Sequence, residues 1–272
     1  MAYERFGAGA LDYFPCRYGK SKLVFRGPEK PLDNSYLAVI GGSETFGKFH
    51  EDPFPESLEG LLGRRTINFG AKNASIEAFE KDEEILEICR LAETTVIQIT
   101  GARNMSNRLY GVHPRRNDRF VRASGWLGRI YGDVDLTDVH FTGHLLRRLH
   151  GASEDRFDIV RKELRREWVS RMKAFLEGLG GDVVLLWLSD HSPDDSRQEI
   201  IDWHSPQFVD RAMLDELSGL ARDLVEVVVS PDEIDAGLER MIFEPYEEPA
   251  ARRMLGPIAH QEAARGLYEV LK

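Results

Sequence analysis

The sequence has almost no cysteine: Cys16 and Cys89 are the only two in 272 residues. Two thiols without a metal-binding spacing supply neither a disulfide framework nor a zinc site. Both therefore read as reduced residues of a cytoplasmic protein, Cys89 at an apolar position of a helix. Long apolar runs are also missing, and none approaches the roughly 18 residues that a bilayer crossing needs. The stretch MAYERFGAGALDYFP shows no basic flank ahead of an apolar core, so no secretory leader is expected. There are no internal repeats and no low-complexity segments. Overall positive charge is lacking too: 36 lysines and arginines face 46 acids, a net charge of −10. Such a surface repels a phosphate backbone, which argues against nucleic acid as a partner.

What is present suits a folded core, with 42% apolar and 30% charged residues. Five short runs are continuously apolar rather than alternating: 36–40, 66–69, 95–100, 183–189 and 224–229. That pattern predicts parallel strands buried on both faces. Between them lie helical stripes with spacings of three and four. Phe157, Val160, Leu164, Trp168, Met172, Phe175 and Leu179 form one, stopped by Gly180-Gly181. Val209, Met213, Leu217, Leu220 and Leu224 form a second, Ile85, Ile88 and Ala92 a shorter third, and residues 260–272 a last one. Alternation of strands and helices predicts a single α/β domain, a three-layer α/β/α fold around a doubly wound, five-stranded parallel sheet. Ligands of such sheets bind beyond the carboxyl ends of the strands. Residues 1–35 read as a loop-rich lead-in. Residues 105–153 read as an insertion after the third strand, with a short helix around 139–149. Seven arginines lie between Arg103 and Arg129, opposed only by Asp118.

The stretch VIGGSETFGKF, residues 39–49, supports two different chemistries. Gly42 to Lys48 nearly spells a phosphate loop, G-x-x-x-x-G-K-[ST], which implies a nucleotide-dependent transferase. Phe49 stands where the metal-binding hydroxyl belongs, and His50-Glu51-Asp52-Pro53-Phe54-Pro55 follows where a helix should continue. Read around Ser43, the same stretch is a strand ending in small residues that present a hydroxyl at the sheet edge.

In this second reading the chain resembles the SGNH, or GDSL-like, hydrolases. Gly41-Gly42-Ser43-Glu44-Thr45-Phe46-Gly47 is similar to the G-G-S-x-T-x-G variant of their first block. Gly70 follows the second strand, Asn104 the third, and His260 opens the last helix, in the family's order. Two departures stand out: Gly101 and Asn104 are one residue further apart than in G-x-N-D, and Pro257 occupies the place of the acid in D-x-x-H. Over its length the chain also resembles an uncharacterised bacterial family, which implies no activity.

The resemblance implies a flavodoxin-like fold and a serine ester hydrolase. Ser43 would attack and His260 would accept its proton. The amides of Ser43 and Gly70 and the Asn104 side chain would hold the oxyanion. Asp232 or Glu248 could replace the missing acid; otherwise a Ser–His dyad remains, or a silent fold that only binds. Arg103 and Arg108 suit a carboxylate, phosphate or sulfate, so the expected partner is a small or carbohydrate-linked anionic ester. The loop residues Asp190, His191, Asp194 and Asp195, with Asp202 and His204, could bind zinc or manganese or supply another base. They read as solvated loop, His140 and His144 as structural, and neither metal nor cofactor is expected.

Overall fold

A computed structural model describes residues 11–195 and 205–272. Five strands, β1 (Leu37–Gly41), β2 (Thr66–Gly70), β3 (Thr94–Gln98), β6 (Val183–Ser189) and β7 (Asp223–Val228), form one sheet. Its order is β2-β1-β3-β6-β7 and every pairing is parallel. This is the flavodoxin-like order. Every residue of β1, β2, β3 and β6 is buried, so their sequences are mainly apolar, with buried polar exceptions such as Asn68 and Gln98 that are hydrogen-bonded. Alternate residues of β1 serve opposite faces: Ala38 and Ile40 join one core, Leu37 and Val39 the other.

Helices α3 (Glu83–Leu91) and α6 (Glu154–Leu179) cover the first face. The 26-residue α6 opens on the Ser153 side chain, which accepts from the Arg156 amide, and closes at Gly180. It buries every residue of its predicted stripe. Helices α2 (Phe54–Leu62) and α10 (Pro257–Leu271) cover the second face with Phe54, Leu58, Ala263 and Leu267 among others. A four-residue helix α1 (Ser43–Phe46) leaves β1, and α8 (Pro231–Gly237) and α9 (Glu248–Ala251) lie between β7 and α10. Among the described residues no helix is long and apolar enough to cross a membrane.

Two predicted elements need correction. The stripe from Val209 to Leu224 is not one helix: only α7 (Arg211–Asp215) forms. The chain then turns through Gly219, at φ +84°, and Leu224 enters β7. The arginine-bearing segment holds more than one short helix. It contains an antiparallel hairpin, β4 (Tyr110–His113) with β5 (Arg116–Ala123), then α4 (Gly125–Ile130) and α5 (Thr142–Ala152).

The lead-in packs onto the core. Tyr18 and Phe25 are buried and meet the Phe69 ring at centroid distances of 5.1 and 5.2 Å. Next to them the Arg26 guanidinium donates to the carbonyls of Gly47 at 3.0 Å and His50 at 2.7 Å, and to that of Glu51. It pins the loop between α1 and α2.

Candidate functional site

The chain leaves β1 toward β2 on one side, while β3 lies on the other, so the topological switch falls between β1 and β3. A cavity of about 770 Å³ opens there, at the carboxyl ends of the strands. Its walls include Gly42, Ser43 and Glu44 after β1, Asn73 to Ser75 after β2, and Thr100, Gly101, Arg103 and Asn104 after β3. Phe141 to His144 at the start of α5, Ser205 and Gln207, and Ala250, Arg253 and Met254 near α9 also line it. The floor is tied to the helical layer: Trp168 Nε1 donates to the Thr100 carbonyl at 2.8 Å. At Gly101 a Cβ would lie 2.5 Å from the Gln207 backbone nitrogen, so only glycine lets the 205–207 segment cross this closely.

Gln98, at the end of β3, organises the loop after β1. Its Oε1 accepts from the Gly42 amide at 3.1 Å, the Thr45 amide at 3.3 Å and the Thr45 hydroxyl at 2.7 Å. The amides of Phe46, Gly47 and Lys48 donate back to the Gly42 and Ser43 carbonyls. Amides already committed cannot wrap a phosphate, and Lys48 pairs with Glu247 at 3.8 Å. The phosphate-loop reading of Gly42–Lys48 is therefore corrected. Ser43 faces the cavity half-buried, its Oγ accepting from the Asn73 amide at 3.0 Å. Its own amide has no acceptor among the described residues.

Gly70 does not serve an oxyanion. Its amide donates to Asn68 Oδ1 at 2.8 Å, and Asn68 Nδ2 in turn donates to the Thr45 carbonyl at 2.8 Å. Gly70 instead gives α1 room to sit against β2. Asn104 does line the cavity, and its Oδ1 accepts from the Thr142 hydroxyl at 2.6 Å, leaving the side-chain NH₂ without an acceptor among the described residues.

The cavity wall carries Lys48, Arg103, Arg147 and Arg253 against Glu44 and Asp118. Arg103 is the telling one. Its Nη1 donates to Gln207 Oε1 at 2.9 Å, and no carboxylate pairs with it among the described residues. Burial holds its pKa below the usual guanidinium value. Buried acceptor and donor atoms also wait unpartnered, at Asp118 Oδ1 and Gln207 Nε2. Arg108 was expected here but lies elsewhere: it pairs on the surface with Glu163 at 3.3 Å and takes no part in the wall.

His260 arrives at the same end of the sheet but not at Ser43. Its side chain is fully buried, and Nδ1 accepts from the Phe54 amide, at the first residue of α2, at 3.2 Å. A neutral imidazole with an accepting Nδ1 carries its proton on Nε2. That atom faces Glu44 Oε2 at 3.4 Å. Neither ring nitrogen is placed to take a proton from Ser43, and no hydrogen bond joins Ser43 to any histidine among the described residues. The Ser43–His260 dyad is thus not assembled. The acid beside His260 is Glu44, not Asp232 or Glu248; the latter pairs with Arg252.

The His50 ring lies 4.0 Å from that of His260, centroid to centroid. Burial, then the neighbouring His260, pushes the His50 pKa down to about 3. Burial, then Arg26, does the same for His260. Burial raises Glu44 to about 7, although His50 and the Leu255 amide, which donates to Glu44 Oε1 at 3.1 Å, pull the other way. Sequence reading missed Glu44, His50 and Gln98. Glu44 stood at an unassigned position of the first block, and His50 only opened the segment that follows Lys48-Phe49 in place of a helix.

Of the loop after β6, His191 Nδ1 meets Asp190 Oδ1 at 2.7 Å and Ser189 Oγ at 2.8 Å, a local network outside the cavity. Asp202 and His204 lie outside the described residues. His144 lines the cavity from α5, whereas His140 precedes that helix and is exposed, so the two do not share a helical face.

A comparison with curated proteins finds no match. Among solved structures, a protein of the G-D-S-L family from Desulfitobacterium hafniense DCB-2 is similar at 13% identity and a TM-score of 0.43, covering 88% of this chain and 100% of its own. A lipase from a goat rumen metagenome is similar at 11% identity and a TM-score of 0.46, covering 88% and 98%. Similarity at this level has no bearing on activity. One family model matches residues 1–272, described as "Domain of unknown function (DUF6473)". The chain belongs to that family.

Proposed function

We propose that the cavity binds a small anion that also carries hydroxyl groups, of the carbohydrate-acid class. The observation that carries this reading is Arg103, a guanidinium in the cavity wall with a neutral amide oxygen as its hydrogen-bond partner. A charge held in that setting is stabilised by an incoming carboxylate or sulfate, which Arg engages through paired N–H groups. Asp118 Oδ1 calls for a hydroxyl donor and Gln207 Nε2 for an acceptor, which an uncomplicated inorganic anion supplies only in part. Glucuronate at about 100 times its dissociation constant should stabilise the chain by about 2.7 kcal/mol. That corresponds to a rise in Tm of roughly 5 °C or more. Glucose should give no shift, and Arg103→Ala should abolish the response to glucuronate. An equal response in Arg103→Ala would remove the basis of this reading.

A second reading, ester hydrolysis of such a ligand, is favoured by one arrangement: Ser43 and Asn104 border the same cavity, in the order shared with SGNH-like hydrolases. A fluorophosphonate probe should then label the protein at Ser43, and Ser43→Ala should lose the label. Absence of labelling in the wild-type chain leaves binding as the function.

A further inference from the structure

We propose that Glu44, His50 and His260 hold a divalent cation of the zinc type behind the cavity wall. Each offers a ligand atom, and these lie within 4.8 Å of one another. Glu44 Oε2, His50 Nε2 and His260 Nε2 are all buried, and none has a hydrogen-bond partner. Three orphaned polar atoms at one point are rare in folded chains, because each forfeits its hydration without return. A shared cation satisfies all three together.

One of the three spacings matches that occupant directly. Zinc bonds of roughly 2.0–2.1 Å in a tetrahedral shell set neighbouring ligand atoms about 3.3–3.4 Å apart. The Glu44 Oε2 to His260 Nε2 separation is 3.4 Å. Two imidazoles and one carboxylate form a donor set suited to zinc and leave one position for water or a ligand. Glu44 borders the cavity, so an ion has a way in.

One contact opposes binding. The Phe54 amide at His260 Nδ1 places the ring proton on Nε2, the atom the cation needs. Coordination at Nε2 moves that proton to Nδ1, so the Phe54 amide loses its acceptor at 3.2 Å and the ring must turn its new donor away from it. The Phe54 amide belongs to the first turn of α2, where N–H groups have no partner within the helix. One neutral hydrogen bond is a small loss against three metal–ligand bonds.

The cation would fasten the loop after β1 to α10, where no disulfide does so, and would hold Glu44 in place as cavity wall. It contradicts the sequence-based expectation of no metal, and it stands independently of the anion proposal.

The full chain, produced with zinc in the growth medium and dialysed, should contain about one zinc per chain by mass spectrometry. Chelation should lower Tm and zinc should restore it. X-ray absorption should show nitrogen and oxygen donors at roughly 2.0 Å and no sulfur. His50→Ala and Glu44→Gln should each weaken retention about tenfold or more, whereas Arg103→Ala should retain zinc fully. Wild-type protein that holds no stoichiometric zinc, nickel, cobalt or manganese and shows no change in Tm would overturn the proposal, whether or not the variants fold. So would full retention by both His50→Ala and Glu44→Gln.

Discussion

Replacing Gly70 with alanine should destabilise the chain by at least about 3 kcal/mol, a large share of the 5–15 kcal/mol typical of a folded domain. An added Cβ would lie 2.0 Å from the Phe46 nitrogen, 2.4 Å from the Thr45 carbonyl carbon and 2.6 Å from the Phe46 Cα. All three are backbone atoms of or beside α1, so no side chain can rotate away. Either α1 lifts off β2 or β2 moves out of register with β1. Both carry the cavity with them, because Gly70 pairs with Gly41 and Asn68 bonds the Thr45 carbonyl. A melt should show Tm lower by about 6 °C or more. A Gly70 needed only for its amide predicts stability kept, because alanine retains the N–H. A Tm within a degree of wild type would contradict the seating of α1 described here.

Acid should unfold the protein, once metal has been removed by a chelator, through the buried histidines. His50 and His260 are held near 3 in the folded chain against an ordinary 6.5. Below pH 6.5 the unfolded chain takes up two protons that the folded chain refuses. Their contribution is complete above pH 6.5 and is lost as pH falls toward 3. Glu44 acts in the opposite sense. Its folded pKa of about 7 lies above the ordinary 4.5, so its contribution is complete below pH 4.5 and is lost as pH rises through 7. Between pH 6.5 and 4.5 two protons therefore oppose one. Over that range stability falls with the slope of one net proton. Below pH 4.5 the Glu44 contribution no longer grows, and the loss steepens to the slope of two protons as pH falls toward 3. Urea titrations across this range measure it directly. His50→Asn removes one of the two protons and should flatten the slope. A stability that climbs steadily from pH 7 to 4 would show that these rings are not buried in neutral form.

The sheet was legible because parallel strands covered on both faces are mainly apolar, and four of the five are fully buried. The β4–β5 hairpin was not. Residues such as Arg119, Val121 and Arg122 of β5 lie at least partly in solvent, so no apolar period marks it. The site divides in the same way. Topology alone brings Ser43, Arg103 and Asn104 to one end of the sheet, and they do line one cavity. It also brings His260 there, but which way a ring nitrogen faces depends on the Phe54 amide, and no local pattern encodes that contact. Arg108 differs from Arg103 by five positions and one salt bridge, and Glu163 lies in a helix that the sequence places without revealing its outward neighbour. Gly70 fits the family spacing equally well as oxyanion donor or as clearance for a helix; the atoms across from it decide.

The contacts that close the back of the cavity join residues 206 and 211 positions apart, Phe54 with His260 and Glu44 with Leu255. During synthesis the first member of each pair waits until 206 or 211 further residues have been made. A nascent chain that has not yet released α10 exposes the apolar face of α2 and leaves Glu44 and His50 open to water. Such a species is open to chaperone capture or aggregation. Emergence of α10 is thus the event that completes these contacts, and nicks or truncations there should be felt at the loop after β1.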